Sequence, residues 1–396
     1  MRRLTVCLVV LATASSAEAR DIDYAETIAR VRLASPDVIA ARAKEGVSRA
    51  GVRVAGELPN PTVSVGTFSQ TAKVAVDFSL PILIFGQRGA AMDAARAELG
   101  VTRADTRVTV SEIRVAAAHA FVALWTAERF ADARRESATL AAETEHAVQD
   151  RVDAGTAPEL DKLRAHAERL RADADVADAD ARVDVAAAAL GVYVGLDGTG
   201  LRARGDPAVP ASVPAFASLA PRVEQNPILA RDHLDALAAL ARANHEKALA
   251  RPALVFDVGV NAFDPTLPGP DFHATLGLEV PIVSWRQPMV DRERAAAAAA
   301  DAQRAADRTR AAADLAAAYR QFTAATERTK ALESGVVPAM RASARASREA
   351  YGLGHSALIA VLDAERARLE GALELVAARA ERANAWIEVQ HAVGQL

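Results

Sequence analysis

The eight histidines and one cysteine of this 396-residue chain are its best candidates for metal or nucleophilic chemistry, and their spacing supports neither. His245-Glu246 opens like a zinc-protease motif, but no second histidine follows one turn later. There is no cysteine pair, no glycine-rich phosphate loop and no G-x-S-x-G elbow, and histidine and methionine are not clustered. No catalytic, cofactor-binding or metal-ligating residue is therefore expected. The charges that stand out are Lys73, Asp77, Asp257, His273 and Glu279, each set in a short run with a period of two. Such charges do no covalent chemistry. On one face of a sheet they would line water and bias which ions pass.

The elements that must position them are strands. In AKVAVDFSLP, Val74, Val76, Phe78 and Leu80 alternate with Lys73, Ala75, Asp77 and Ser79. The same pattern places Leu254, Phe256, Val258, Val260 and Ala262 opposite Asp257, Gly259 and Asn261. It also places Phe272, Ala274, Leu276, Leu278 and Val280 opposite His273, Thr275, Gly277 and Glu279. With a run at 62–68, four strands are expected: 62–68, 73–80, 254–263 and 272–280. Nine residues at roughly 3.3 Å each reach about 30 Å, the thickness of a bilayer core. Apolar-out and polar-in alternation over that length is the signature of a membrane β-barrel. Phe85 and Trp285, just past Pro81 and Pro281, suit an interfacial aromatic belt. Four strands cannot close a channel, and open edges are forbidden in lipid, so the chain is expected to oligomerise.

The N-terminus points to export. Arg2 and Arg3, the apolar run 4–14 and Ala17-Glu18-Ala19 predict a signal peptide over 1–19. Cys7 lies inside it, so the mature chain is expected to have no disulfide and no lipid anchor. The remainder is rich in Ala, Arg, Glu and Asp, a long-helix composition. A net charge of −4 is too balanced to indicate nucleic acid. No apolar run approaches the length of a transmembrane helix.

Between the strand pairs the same plan is read twice. Residues 20–196 form a first repeat, with strands over about 62–80 and a helical hairpin over about 87–191. A Gly/Pro-rich connector follows over 197–226. A second repeat, 227–396, carries strands over about 254–280 and a hairpin over about 287–394. Ser35-Pro36 matches Asn226-Pro227, Pro81 matches Pro281 and Gly155 matches Gly354, at offsets of about 191 to 200 residues, as expected of a tandem duplication. The long helices, 87–153 and 287–351, would each run about 100 Å at 1.5 Å per residue. Shorter helices (22–56 and 158–191; 221–250 and 356–394) would stack end to end to match them. That geometry describes a tube.

The duplicated halves, Pro59-Asn60-Pro61 before the first strand and LPILIFGQR from Leu80 to Arg88 resemble the TolC family of outer-membrane efflux proteins. So does Tyr351-x-x-Gly354 leading to Val361-Leu362-Asp363-Ala364. The resemblance implies a mainly α fold with a small membrane β part, in which a trimer's twelve-stranded barrel continues into a long α-helical barrel. It implies a homotrimer in outer-membrane lipid with a large periplasmic portion, passing substrate from an inner-membrane pump through a periplasmic adaptor, without enzymatic activity or cofactor. It places adaptor contacts at two tips, Ala154-Gly155-Thr156 and Leu353-Gly354-His355, where glycine permits a tight turn. It places a periplasmic gate at Asp363, with Tyr351 and Asp161 as partners in a tie. The chain departs from the family pattern at Ala360, where a second acidic ring is missing, and at Ser356, where a latching arginine is missing. The compact length and Leu58-Pro59-Asn60-Pro61 are similar to the heavy-metal-efflux branch.

Two rival readings are a type I protein-secretion duct and a periplasmic coiled-coil adaptor or scaffold that never enters the membrane. The second would need a lipoyl-like β-domain between hairpin arms, and the sequence contains no stretch resembling one.

Overall fold

The computed structural model describes residues 20–67, 74–263, 268–282 and 285–396. The predicted signal segment 1–19 with Cys7, together with Lys73 and part of each strand-joining loop, lies outside the described residues. The chain runs β1 (Arg20–Asp23), α1 (Tyr24–Ala34), α2 (Pro36–Ala55), β2 (Thr62–Gly66), β3 (Val74–Ile82), α3 (Gln87–Asp153), α4 (Glu159–Val194) and β4 (Leu201–Arg204). After a short α5 (Phe216–Leu219) come α6 (Pro227–Leu249), β5 (Ala253–Ala262), β6 (Asp271–Glu279), α7 (Gln287–Ala331), α8 (Val337–Gly352) and α9 (Leu358–Ala392).

Strands β2, β3, β5 and β6 form one antiparallel sheet in that order, at the positions the alternation indicates. Strand β3 continues through Pro81 to Ile82, further than the sequence suggests. Because β2 ends opposite Ser79, β3 has a neighbour on only one edge beyond that point, where proline is tolerated.

Two rods of helix carry the sheet. The first is α3, unbroken over 67 residues. The second is α7 and α8 joined by a π-helical turn, Leu332–Val336. Pro338 lies just beyond that turn and cannot donate to the carbonyl of Ser334, which its ring also crowds; an inserted residue relieves both problems. Each rod is matched by shorter helices stacked end to end. Near its start α3 meets α2, with the Ser48 and Thr102 hydroxyls 2.8 Å apart, and further on it meets α4, where Arg134 pairs with Asp175 at 2.6 Å. The second rod repeats this. Arg242 of α6 holds Glu293 of α7 at 2.8 Å, while Arg348 of α8 holds Glu365 of α9 at 3.0 Å. Arg242 also reaches Glu98 of α3 at 2.9 Å, joining the two rods.

The single helix expected over 22–56 is divided. Asp23 caps α1 by accepting from the Glu26 amide at 2.6 Å, and Ser35-Pro36 ends it and begins α2. Asn226-Pro227 begins α6 in the same way, its side chain accepting from the Ile228 amide at 3.0 Å. In both places proline sits in the first turn, where its missing N–H costs nothing. The connector also contains structure that aperiodicity hides. Strand β4 pairs in parallel with β1, and its Leu201 packs with Ile22 against Phe121, Leu124 and Trp125 of α3. A second cluster gathers Leu219, Val223, Leu315 and Phe322 around the other rod. Aromatic pairs echo each other across the two: Tyr24 meets Phe121 edge-on at 5.6 Å, and Phe216 meets Tyr319 at 5.2 Å.

The expectation that no apolar run approaches the length of a transmembrane helix does not hold. Helix α3 does contain an 18-residue window with a mean hydropathy of 1.3, long and apolar enough to cross a membrane by composition. Its Phe121, Leu124 and Trp125 are instead buried in the mid-height core, which accounts for their apolar character.

Candidate functional site

Register fixes which residues share a face of the four-stranded sheet. One face stacks Val65, Val76, Val260 and Phe272 in a row, then Val63, Phe78, Val258 and Ala274, then Leu80, Phe256 and Leu276, then Ile82, Leu254 and Leu278. This face is wholly apolar and lies open: Val65 is 71% exposed, Phe272 76% and Leu276 65%. Water does not tolerate a contiguous patch of this kind on a lone protein, whereas hydrocarbon requires it. The outer edges of β2 and β6 are also unpaired within the chain.

The other face carries the polar residues, interrupted by one apolar row of Pro81, Val255 and Gly277. Its polar rows read Ser64, Asp77, Gly259 and His273, then Thr62, Ser79, Asp257 and Thr275, with Glu279 opposite Ala253 at the foot. Four of the five charged residues singled out by alternation, Asp77, Asp257, His273 and Glu279, therefore share one face. The structure adds a contact that the pattern alone did not reveal. Asp77 Oδ1 and His273 Nε2 meet at 3.2 Å, reaching across β5 from strands on either side of it. Gly259 lies beneath them, and a Cβ there would overlap both side chains. The glycine interrupting an otherwise apolar-polar strand was the available signal.

Where the sheet joins the rods, Phe85 and Trp285 are both exposed. Beside them lies an unforeseen residue, Gln87. It is 3% exposed, accepts from the Phe85 amide at 3.0 Å and donates to the Pro252 carbonyl at 2.8 Å. Arg251 donates to the Phe85 carbonyl at 2.7 Å. Together they tie the start of α3 to the entry of β5. Gly86 takes φ +86° at this corner, a conformation a side chain would strain.

At the far end, the two tips have the same backbone hydrogen bonds. The Gly155 amide donates to Val152 and the Thr156 amide to Arg151; likewise Gly354 donates to Tyr351 and His355 to Ala350, all at 2.8–2.9 Å. Both glycines have positive φ, +70° and +79°, so each tip is a helix closed by a left-handed glycine before the next helix begins. Around Ala154, Gly155 and Thr156 and around Gly354 and His355 the chain is exposed, and Leu353 is 73% exposed.

The two tips are held to one another. Arg151 donates Nη1 to the Tyr351 carbonyl at 2.5 Å and lays its guanidinium over the Tyr351 ring, 4.5 Å from the centroid. Tyr351 is buried with Val148, Leu358, Val361 and Leu362. Burial pushes its hydroxyl pKa up, against the opposing charge of Arg151. The Tyr351 hydroxyl is buried without a hydrogen-bond partner, and Asp161 lies 3.7 Å from Arg164 on its own helix. Arg151, which spacing did not single out, is the cation beside Tyr351. Asp363 stands apart on the exposed side of α9, with Arg366 at 3.6 Å, and Arg366 is committed to Glu168 at 2.7 Å.

A further brace crosses from α3 to α9 at mid-height. His119 Nδ1 lies 2.9 Å from Asn384 Oδ1 and Nε2 lies 2.7 Å from Glu388 Oε1. The hydrogen bond to Glu388 holds the imidazole pKa above its ordinary value, and the same bond holds the Glu388 carboxyl below its own. Among the described residues no group of three or more His, Cys, Asp or Glu is placed to hold a metal ion.

The sequence model of the family described as "Outer membrane efflux protein" matches residues 27–196 and 223–395. No curated protein sequence matches the chain. Among solved structures, CusC is similar with a TM-score of 0.74 at 16% identity, covering 93% of this chain and 91% of CusC. The CmeC outer membrane channel of Campylobacter jejuni scores 0.75 at 12% identity, covering 94% and 85%. The outer membrane protein VceC of Vibrio cholerae scores 0.73 at 16%, covering 94% and 96%. At these identities the likeness is one of fold.

Two outcomes are expected. Leu278→Arg, on the apolar face, should cost about 2–4 kcal/mol of membrane stability at mid-bilayer depth and deplete the membrane-inserted protein; undiminished insertion would contradict the lipid-facing assignment. The His119 brace should also carry a pH signature. Its raised pKa gives stability that is present below the unfolded value and lost as pH rises through the folded value. The depressed Glu388 gives stability lost as pH falls through its own folded pKa. The stability gap between wild type and His119→Gln should therefore be larger at about pH 5.5 than at about pH 9. An unfolding midpoint difference equal at both would remove the charged brace.

Proposed function

The chain belongs to the outer membrane efflux protein family, and we propose that three copies assemble into the passive exit duct of a tripartite efflux system. It is an outer-membrane efflux channel with a periplasmic helical extension, and it is not an enzyme. One observation carries the trimeric duct most directly: a four-stranded sheet with an open apolar face, a polar face and two unpaired edges, set on helical rods of some 66 residues. Strands β2 and β6 run in opposite directions, so β6 of one copy can continue onto β2 of the next in antiparallel pairing. Three sheets make twelve strands.

In this reading the chain is two structural repeats, 20–196 and 227–396, on either side of the connector 197–226. Asp77, Asp257, His273 and Glu279 line the aqueous lumen, while Phe85 and Trp285 mark the periplasmic membrane interface. The tips at Ala154-Gly155-Thr156 and Leu353-Gly354-His355 receive a periplasmic adaptor, which joins the duct to an inner-membrane pump. Exposed backbone around a left-handed glycine lets a partner helix approach closely, and Leu353 offers it an apolar contact. Asp363, brought to one level by three-fold symmetry, forms a carboxylate ring that narrows the tube. Arg151 and Tyr351 hold the two tips together, and Asp161 is the tie partner that the resemblance implies.

Single-channel recording in planar bilayers tests this reading. Asp363→Ala should raise conductance or weaken block by cations, since it removes a symmetric set of negative charges. Arg151→Ala should raise conductance by freeing the second tip. Conductance and cation block unchanged in both variants would move the constriction elsewhere.

A further inference from the structure

Where α1, α2 and α3 converge, a groove of about 340 Å³ opens between Arg32 of α1, Arg42 of α2 and Arg103, Arg107 and Arg114 of α3. We propose that this groove is a binding site for a multivalent oxyanion, with phosphate groups as the recognised chemistry. The α3 residues are spaced to form one stripe, Arg103, Thr106, Arg107, Val110, Ser111 and Arg114, so a single helix face turns three guanidinium groups toward the same space, while the Ser111 hydroxyl is held by the Leu396 carbonyl at 2.6 Å.

What sets these arginines apart is their gathering: five line one groove. Several arginines between helices elsewhere hold carboxylates: Arg242 holds two, Arg328 two, and Arg366 and Arg368 two each. Among the described residues, none of the five in the groove forms a hydrogen bond or an ion pair. Glu45 is the only acidic side chain on the wall. Even with a carboxylate at Leu396 counted, cations outnumber acids five to two. Arg114 is half-buried, and its Nε is buried without a partner. Burial and the positive charge of Arg32 both press its pKa down.

Like charges gathered around a partly desolvated guanidinium repel one another unless an anion lies between them. Arginine is the side chain suited to that anion, because its planar fork donates two parallel hydrogen bonds to phosphate. The space exceeds a single phosphate and suits a ligand with two or more anionic groups. Its position excludes the membrane as the immediate source. Arg103 to Arg114 lie 16 to 27 residues along α3 from Gln87, about 25–40 Å beyond the sheet at 1.5 Å per residue. A freely diffusing polyphosphate fits that location; a lipid headgroup does not.

Isothermal titration of the detergent-solubilised full chain with inorganic pyrophosphate tests the site. Saturable binding at one site per chain is expected, weakened about tenfold or more by Arg107→Gln and by Arg42→Gln. Arg294→Gln, remote on α7, should leave it unchanged. Arg42 is exposed, so its substitution tests the site even if a change at Arg114 disturbs folding. Absence of saturable heat, or an equal loss in Arg294→Gln, would overturn the site. Binding to vesicles of anionic phospholipid but not to pyrophosphate would overturn the assignment to a soluble ligand.

Discussion

The structure depends on what hydrocarbon does to a backbone amide. In water an unpaired strand edge finds solvent; in a bilayer core every N–H and C=O must find protein. The sheet of this chain presents an apolar face that belongs in lipid, and its two edges are unpaired within the chain. Such a sheet cannot stand alone where its side chains say it belongs. Closure by neighbouring copies follows from that conflict, and the remaining architecture serves it. The long rods, the paired tips and the doubled element order are what a ring of identical subunits requires to remain continuous from membrane to periplasmic end.

Below the sheet a different balance prevails. Helices of this length bury little at each level, so their cohesion comes from small residues in the seams, with two denser clusters around Phe121 and Phe322 at mid-height. Strands β1 and β4 close the first cluster from outside and bring the ends of the first repeat together. The many surface ion pairs between helices add little individually, a fraction of a kcal/mol to about 1 kcal/mol each when exposed. Their value is in register: Arg242 with Glu98 and Glu293, or Arg366 with Glu168, fixes which turn of one helix faces which turn of another.

Legibility in the sequence followed the strength of periodicity. The four membrane strands and the rods were readable because alternation and helical composition persist over many residues, so α3 was bounded at both ends from Gly86-Gln87 and Gly155 alone. Strands β1 and β4 were not, because four residues carry too little pattern and their partner lies about 180 residues away. The π turn before Pro338 was missed for the same reason: a proline in a long helical run predicts a disturbance but not its form. Among the candidate site residues, Asp77 and His273 were marked by alternation, and Gly155 and Gly354 by their place in the family resemblance. Arg151, Gln87 and the groove arginines were marked by neither. Their roles depend on which helices touch, and one arginine among the many in this chain looks like any other until its neighbours are known.

The central claim is that the sheet closes only between copies. Electrophoresis of the membrane-extracted protein, unheated and heated, tests it most directly. The account predicts a heat-sensitive band at about three times the mass of the heated chain, since three four-stranded sheets complete the barrel. A chain extracted from the membrane that runs as a monomer with and without heating would contradict it.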